Sequence, residues 1–478
     1  MPCCYKDGKE WCQDLETVYT DAEGNEYCVF HAPQGKKGES LEAFNELVFA
    51  RIQEAQQHHK RCDLSGTIFE GDVSFHQFDK NEPLPEIDFS EAQFSGKANF
   101  WFTKFSEYAD FRFAQFSEDA EFLNAKFSGY ADFWNTKFSG YADFMSAQFS
   151  GDGNFAEAQF SGHGNFAEVQ FSGDGNFAEA QFSGGADFDF IRIPEKGLLM
   201  FRSTDRIKTF GKKASFRNLD IEGSLVFEGV DLSTALFYGT RVQKIDFINV
   251  RWRRSGPRGW RNTLYDEIFF FERIKKGPSS DVERPGTPPT DFKNLIGRTF
   301  CYADKYGDDI RKVGILYRRM KNKYRTLQNW PEVSNWHYGE KEMYRKENAF
   351  RRYFPFSFSF LYWLSSGYGE RYVRAGVVLA ALIFLLSFGL AWTGLNAAGA
   401  SGSHLTDFHG ITSITIETLN LKSIGALLIN TLKYATFQKD IIFFPRNMWG
   451  EIVRLLTQIL IPIQTALFIM AVRNRFRR

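Results

Sequence analysis

Ala147–Glu179 reads AQFSGDGNFAE, AQFSGHGNFAE, VQFSGDGNFAE: three near-identical copies of an 11-residue unit. Outward from it, Phe recurs without a gap at Phe89, Phe94, Phe100, Phe105, Phe111, Phe116, Phe122, Phe127, Phe133, Phe138, Phe144, Phe149, Phe155, Phe160, Phe166, Phe171, Phe177, Phe182 and Phe188, in spacings that alternate 5 and 6. A helix face would repeat at 3 and 4 residues and a strand at 2. An 11-residue repeat also suits a right-handed helical supercoil. Each unit here, however, carries a turn-like position occupied mostly by Ser-Gly, and Gly costs about 1 kcal/mol inside a helix. A square solenoid meets the pattern. Each 5- or 6-residue segment makes one side, Phe points inward from its centre, and Ser-Gly turns the corner. Ala98, Thr103, Ala109, Ala114 and their equivalents, two places before each Phe, point inward as well, because strand side chains alternate. Four sides take two units, so coils stack about 4.8 Å apart with Phe ladders inside.

The spacing continues through Leu64, Phe69 and Phe75, breaks at Pro83 and Pro85, and resumes from Phe216 to Phe247 after a non-repeat insert at 189–213. The solenoid is therefore expected over 62–250. ADF at 109–111, 131–133, 142–144 and 186–188, ANF at 98–100 and GNF at 153–155, 164–166 and 175–177 resemble the pentapeptide-repeat family, A-(D/N)-(L/F)-X-X. That resemblance implies a right-handed quadrilateral β-helix. The extra residue in alternate segments departs from the consensus and implies a wider corner on two sides. Between Asp88 and Asp189 acidic residues outnumber basic ones. Some soluble proteins of the family mimic DNA with an acidic rod, but solubility alone accounts for charged outer faces.

The whole chain has 478 residues, 58 basic and 58 acidic, so net charge points to no nucleic-acid partner. Six Cys exclude a disulfide-dense secreted scaffold. No apolar segment of signal-peptide type opens the sequence, and the N-terminus is expected in the cytosol. Cys3, Cys4, Cys12, Cys28 and His31 crowd into the first 31 residues. Cys12, Cys28, His31 and one of Cys3 or Cys4 supply the four donors of a structural zinc site. Thiols in a small turn element are the alternative. Such a site, with an amphipathic helix over 40–60 (Leu41, Phe44, Leu47, Val48, Ile52), would make residues 1–61 a cap over the open solenoid end.

After Val250 the composition changes. A basic run (Arg251, Arg253, Arg254, Arg258, Arg261) and a Pro/Gly-rich linker at 277–290 occupy 251–303. Helices near 308–329 and 331–352, broken at Pro331, make 304–370 a juxtamembrane hairpin. Lys and Arg at 311–325 and 341–352 are candidates for contact with anionic lipid. Ala375–Leu395 is 21 residues without a charge and Leu455–Val472 is 18, so both qualify as bilayer spans. Arg clusters at their outer ends place both termini in the cytoplasm. Between them Ser423–Tyr434 is apolar and too short to span, as a re-entrant segment over about 423–440 would be.

LYWLSSGYGERYVRAG (361–376), TLKYATFQK (431–439) and ILIPIQTALFIMAVRNRFRR (459–478) resemble the C-terminal part of bacterial pentapeptide-repeat membrane proteins related to two-transmembrane ion channels. The resemblance implies a two-pass pore module at 371–478 and a bacterial inner (plasma) membrane. It also implies a homo-oligomer, four copies by analogy, because two helices per chain enclose no water path. Where a potassium filter would stand, no Gly-Tyr-Gly occurs. Thr436, Phe437, Gln438 and Lys439 are the candidate pore loop. Gln458, Gln464 and Thr465 either face the lumen or join helices.

No GxSxG, Walker A, HExxH or GxGxxG constellation occurs, so no enzyme is expected. His404, Asp407 and His409 lack metal-ligand spacing. The expected function is an ion channel with a cytosolic sensor or docking rod. The alternative is a membrane-anchored scaffold whose solenoid binds a cytosolic protein.

Overall fold

The structure is a computed structural model and describes residues 3–5, 10–78, 83–204, 208–255, 261–276, 310–351, 358–397, 411, 413–439 and 441–476. The 277–290 linker, Arg258, His404, Asp407 and His409 lie outside these residues. Contacts divide the chain into two units: Met1–Thr287 with Asp308–Lys323, and Pro288–Gly307 with Tyr324–Arg478.

In the first unit, short strands stack into four parallel sheets of nine, six, eight and six strands. Residues 22 apart are partners: Ala109 with Ala131, Phe116 with Phe138, Ala120 with Ala142, Phe127 with Phe149. One ladder runs Phe94, Phe116, Phe138, Phe160, Phe182 with centroids 4.6, 5.1, 4.8 and 4.5 Å apart. Another runs Phe105, Phe127, Phe149, Phe171 at 4.6, 4.7 and 5.0 Å. All are buried, and so are the small residues two places earlier. Each buried Phe is worth about 1.5–3 kcal/mol, and stacking adds about 0.5–1.5 kcal/mol per pair.

The corners explain the 5 and 6 alternation. In the five-residue segment Phe111 O accepts from Ala114 N at 3.1 Å, with Phe113 at φ 59°. This is the hydrogen bond and positive φ of a type II turn. The preceding Asp110 carboxylate accepts from Arg112 N at 3.0 Å, and Asp132, Asp143, Asn154 and Asn165 repeat that bond. The repeated Asp or Asn is thus a corner clamp that accompanies a non-glycine residue in the left-handed region. The six-residue segments carry the Ser-Gly corner, and the extra residue widens it. There Gly is needed for close approach rather than for positive φ: a Cβ on Gly140 would lie 2.5 Å from the Glu118 carbonyl carbon.

The insert is narrower than 189–213. Arg192 faces Gln170, Leu199 faces Gly175, and Ala214 faces Ala186. The register offset therefore grows from 22 to 24 to 28, with residues added before Leu198 and after Arg202. Phe201 and Phe210 stay in the ladders, stacked on Phe177 and Phe182 at 4.9 and 5.6 Å.

Both ends are covered, as exposed strand edges require. At the start, α1 (Leu41–Gln57) is N-capped by Ser40 and buries Phe44, Val48, Ile52 and Ala55. Leu41 and Leu47 of the expected stripe remain exposed. The Phe44 ring meets Phe69 of the first coil at 5.9 Å. At the far end, residues 251–276 are not a loose basic segment. Arg253–Ser255 pairs with Arg261–Thr263, and α2 (Tyr265–Lys276) follows. Asp266, buried until its pKa reaches about 7, accepts from Phe237 N at 3.0 Å. Arg261 is buried against Glu267, whose carboxylate also accepts from Tyr317 Oη at 2.6 Å. Tyr317 lies in α3, helical from 310 to 326. Arg319 of α3 donates to Thr240 O at 2.9 Å, and Lys323 pairs with Asp246 at 3.1 Å. Residues 304–370 are therefore divided: α3 as far as Lys323 caps the solenoid, and α4 (Trp330–Arg351) belongs to the second unit.

In the second unit α4 is followed by α5 (Phe358–Ser366), α6 (Tyr372–Thr393), α7 (Leu421–Ala435) and α8 (Met448–Phe476). A three-stranded sheet joins Leu395–Ala397 to Ser413–Ile414 and Phe443–Pro445.

Candidate metal centre and candidate membrane module

Cys3, Cys12, Cys28 and His31 are all buried, and their ligand atoms lie within 4.8 Å of one another. The strand Glu26–Cys28 and the tight turn after it, where Cys28 O accepts from Ala32 N at 2.9 Å, bring Cys28 and His31 together. Cys3 comes alongside because Cys4 N donates to Glu26 O at 2.7 Å. His31 Nδ1 is 3.4 Å from Cys3 Sγ and 3.3 Å from Cys28 Sγ. Its Nε2 is 3.0 Å from Ser65 O. A carbonyl only accepts, so Nε2 carries the proton and Nδ1 turns its lone pair to the sulfurs. A tetrahedron with metal–sulfur bonds of about 2.3 Å and metal–nitrogen bonds of about 2.0–2.1 Å has edges of roughly 3.5–3.8 Å. The donors fit that size and composition. Cys4 is exposed and outside the cluster. This resolves the choice between the two neighbours in favour of Cys3.

Without a cation the crowded sulfurs hold one charge unequally. The Cys3 pKa falls to about 3, chiefly through a hydrogen bond from Cys28. That same bond and burial push Cys28 up, and burial chiefly raises Cys12 to about 12. A divalent cation would favour thiolate at all three. Partners that no spacing rule marks complete the site. The Tyr5 ring stacks on His31 at 4.1 Å, Tyr5 Oη donates to Glu91 at 2.9 Å, and Trp11 Nε1 donates to Ser65 Oγ at 3.3 Å. Phe30, held between Cys28 and His31, packs on Phe44 at 5.9 Å, and its carbonyl accepts from Ile68 N at 2.9 Å. The cluster therefore clamps the N-terminal segment onto the first coil.

In the second unit, α6 and α8 are long and apolar enough to cross a membrane. Both leave large apolar side chains outside, among them Phe384, Leu385, Trp392, Ile459 and Ile463. Between them α7 mixes both kinds of side chain: Ser423, Asn430 and Thr431 are buried together with Ala426, Leu427 and Tyr434, while Leu421, Ile424, Ile429 and Leu432 are exposed. Ser387 of α6 donates to Thr431 at 2.9 Å. Asn430 pairs with the Phe443 backbone at 3.0 and 3.2 Å.

The candidate loop is not extended. Gln438 N donates to Lys433 O at 3.1 Å and Phe437 N to Tyr434 O at 3.2 Å, with Phe437 at φ 55°. Thr436, Phe437, Gln438 and Lys439, all exposed, are thus the Schellman end of α7. The extended piece is Phe443–Pro445, which joins the sheet. Gln464 is buried, and its amide donates to Ser365 O and Ala375 O, both at 2.9 Å. It joins α5, α6 and α8 instead of facing a lumen. Thr465 returns its hydroxyl to Ile461 O at 2.8 Å. Gln458 stays half-buried, and its carbonyl loses its intrahelical donor because Pro462 has no N–H. Gln464→Leu is expected to destabilise this unit by about 0.6–1.7 kcal/mol, the range of interhelical hydrogen bonds in membranes. Melting in detergent checks it, and an unchanged midpoint would remove the joining role.

The first unit is a β-solenoid of about eight turns built from pentapeptide repeats. Residues 103–148 match the family described as pentapeptide repeats (9 copies). No curated protein and no solved structure matches the chain.

Proposed function

We propose that the second unit is the protomer of a homo-oligomeric ion channel and that the first is its cytosolic sensor or docking rod. The half-helix α7 carries this reading. It sits against both candidate spans with the polar Ser423, Asn430 and Thr431 buried among its apolar contacts and four large apolar side chains left exposed, and it ends in an exposed turn at 436–439. A tether needs none of this. Irregular backbone at membrane depth is stable where it is buried in protein or lines a water-filled path. Two spans per chain enclose no such path, so several copies surround an axis, four by analogy. The polar patch of Gln458 and the Gln458 carbonyl, together with the Thr436–Lys439 turn, would line it. The Arg-rich ends of the spans would face the cytoplasm. In this reading the metal centre holds zinc, which closes a Cys3His site and fixes the cap. Nothing in it calls for nucleic acid or catalysis.

The scaffold reading keeps one observation in its favour. Trp101, Phe102, Phe113 and Phe190 are exposed at solenoid corners, where a protein partner would find aromatic anchors. Planar-bilayer recording on purified protein separates the two. Discrete currents are expected, with conductance altered by Lys439→Glu and Gln458→Leu. Currents indifferent to both substitutions would place the path elsewhere. Verified insertion without current under a range of voltages and ligands would favour the scaffold.

A further inference from the structure

Arg319 and Lys323 of α3 serve the solenoid cap. The cations around α5 have a different setting. Trp363 of α5 has the Arg345 guanidinium 5.1 Å and the Arg374 guanidinium 5.2 Å from its ring centroid. Its Nε1–H donates to Tyr338 Oη at 2.8 Å. Arg345 and Lys346 share one carboxylate, Glu342, at 2.6 and 3.9 Å. Arg374 donates to Trp363 O at 3.1 Å, and among the described residues no carboxylate pairs with it. Among the described residues Glu342, which also accepts from Tyr368, is the carboxylate paired with Arg345, and Arg374 has none, so the two guanidiniums against one indole leave an excess of positive charge.

The depth of α5 is set by α8. Tyr362 Oη is 3.8 Å from Met470 Sδ, and Asn474 Nδ2 donates to Gly369 O at 3.0 Å. α5 is therefore level with the Arg-rich end of a candidate span, where a bilayer has its headgroups. On its other side Phe358, Leu361 and Leu364 are 92, 49 and 49 % exposed at three-residue spacing, suited to acyl chains.

We propose that α5 with Arg345 and Arg374 is a docking surface for anionic phospholipid, with the phosphate at the two guanidiniums and the acyl chains along Phe358, Leu361 and Leu364. This rests on the membrane reading of the second unit but not on a pore. Arginine suits a phosphate because its planar fork binds two oxygens at once.

The test is lipid retention by the full chain. The protein is equilibrated in detergent with equal phosphatidylglycerol and phosphatidylcholine, and bound lipid is read by native mass spectrometry. Selective retention of phosphatidylglycerol is expected. The double variant Arg345→Gln/Arg374→Gln should lose about 30-fold of that selectivity, about fivefold for each basic side chain at a lipid surface. Arg374→Lys should keep most of it, and this guards against misfolding of the double variant. Equal retention of the two lipids by wild type, or full selectivity in a folded double variant, would overturn the proposal. A chain that stays soluble and monodisperse without detergent would overturn the membrane reading itself.

Discussion

Phe149→Asp is expected to melt the middle of the solenoid. Phe149 is fully buried, stacked between Phe127 at 4.7 Å and Phe171 at 5.0 Å. Truncating such a ring costs about 3–5 kcal/mol. An unpaired carboxylate in its place adds a desolvation cost of several kcal/mol. The sum rivals the whole stability of an ordinary domain, about 5–15 kcal/mol. In a stacked array each coil leans on its neighbours, so amide exchange should rise first in the coils of Phe127, Phe149 and Phe171. Phe190→Asp, at a corner where the ring is 55 % exposed, should change stability by no more than about 0.5 kcal/mol. Equal effects of the two substitutions would mean that the inward register is wrong.

Cys28→Ser is expected to empty the metal centre. Structural zinc contributes on the order of 10–16 kcal/mol of apparent binding free energy in small sites at neutral pH, so loss of one of four donors should release the ion. Purified wild type should carry one equivalent of metal by elemental analysis, the variant almost none, and Cys4→Ser the full equivalent. The consequence reaches past the cluster. Phe30, between Cys28 and His31, covers Phe44, and its carbonyl accepts from Ile68 N. Amides of the first coil should therefore exchange faster in the variant while those beyond Phe216 keep their protection. Wild-type protein free of metal after purification without chelator would refute the assignment.

The solenoid was legible because its signal is a period, and each copy repeats the same physics. What stayed hidden has particular causes. Cys3 and Cys4 are adjacent and chemically identical, and it is the bonds of Cys4 N to Glu26 O and of Cys28 N to Cys3 Sγ that turn Cys3 inward. The insert reads too wide in the sequence because Leu199, Phe201 and Phe210 keep their places by register while residues are added between them, which shifts the count of residues but not the stack. Ser-Gly marked a corner, yet the reason for Gly, contact with the coil below, is a distance between residues 22 apart. The far cap escaped notice because Arg261, Glu267 and Tyr317 meet across a long separation, and a buried arginine reads in sequence as one more basic residue. In the second unit, polarity alone does not distinguish Gln464, which joins helices, from Gln458, which remains half-buried. The turn at Thr436–Lys439 resembled a filter position only by order along the chain; Phe437 in the left-handed region makes it a helix end.

The channel reading requires several copies around one axis. A silent bilayer has a second explanation, a missing stimulus, whereas a particle mass has none. The decisive measurement is the mass of the protein in lipid nanodiscs, by native mass spectrometry or mass photometry. The account predicts a single closed species at a small multiple of the 55.1 kDa chain, four by analogy. One chain per disc at every protein-to-lipid ratio would contradict it.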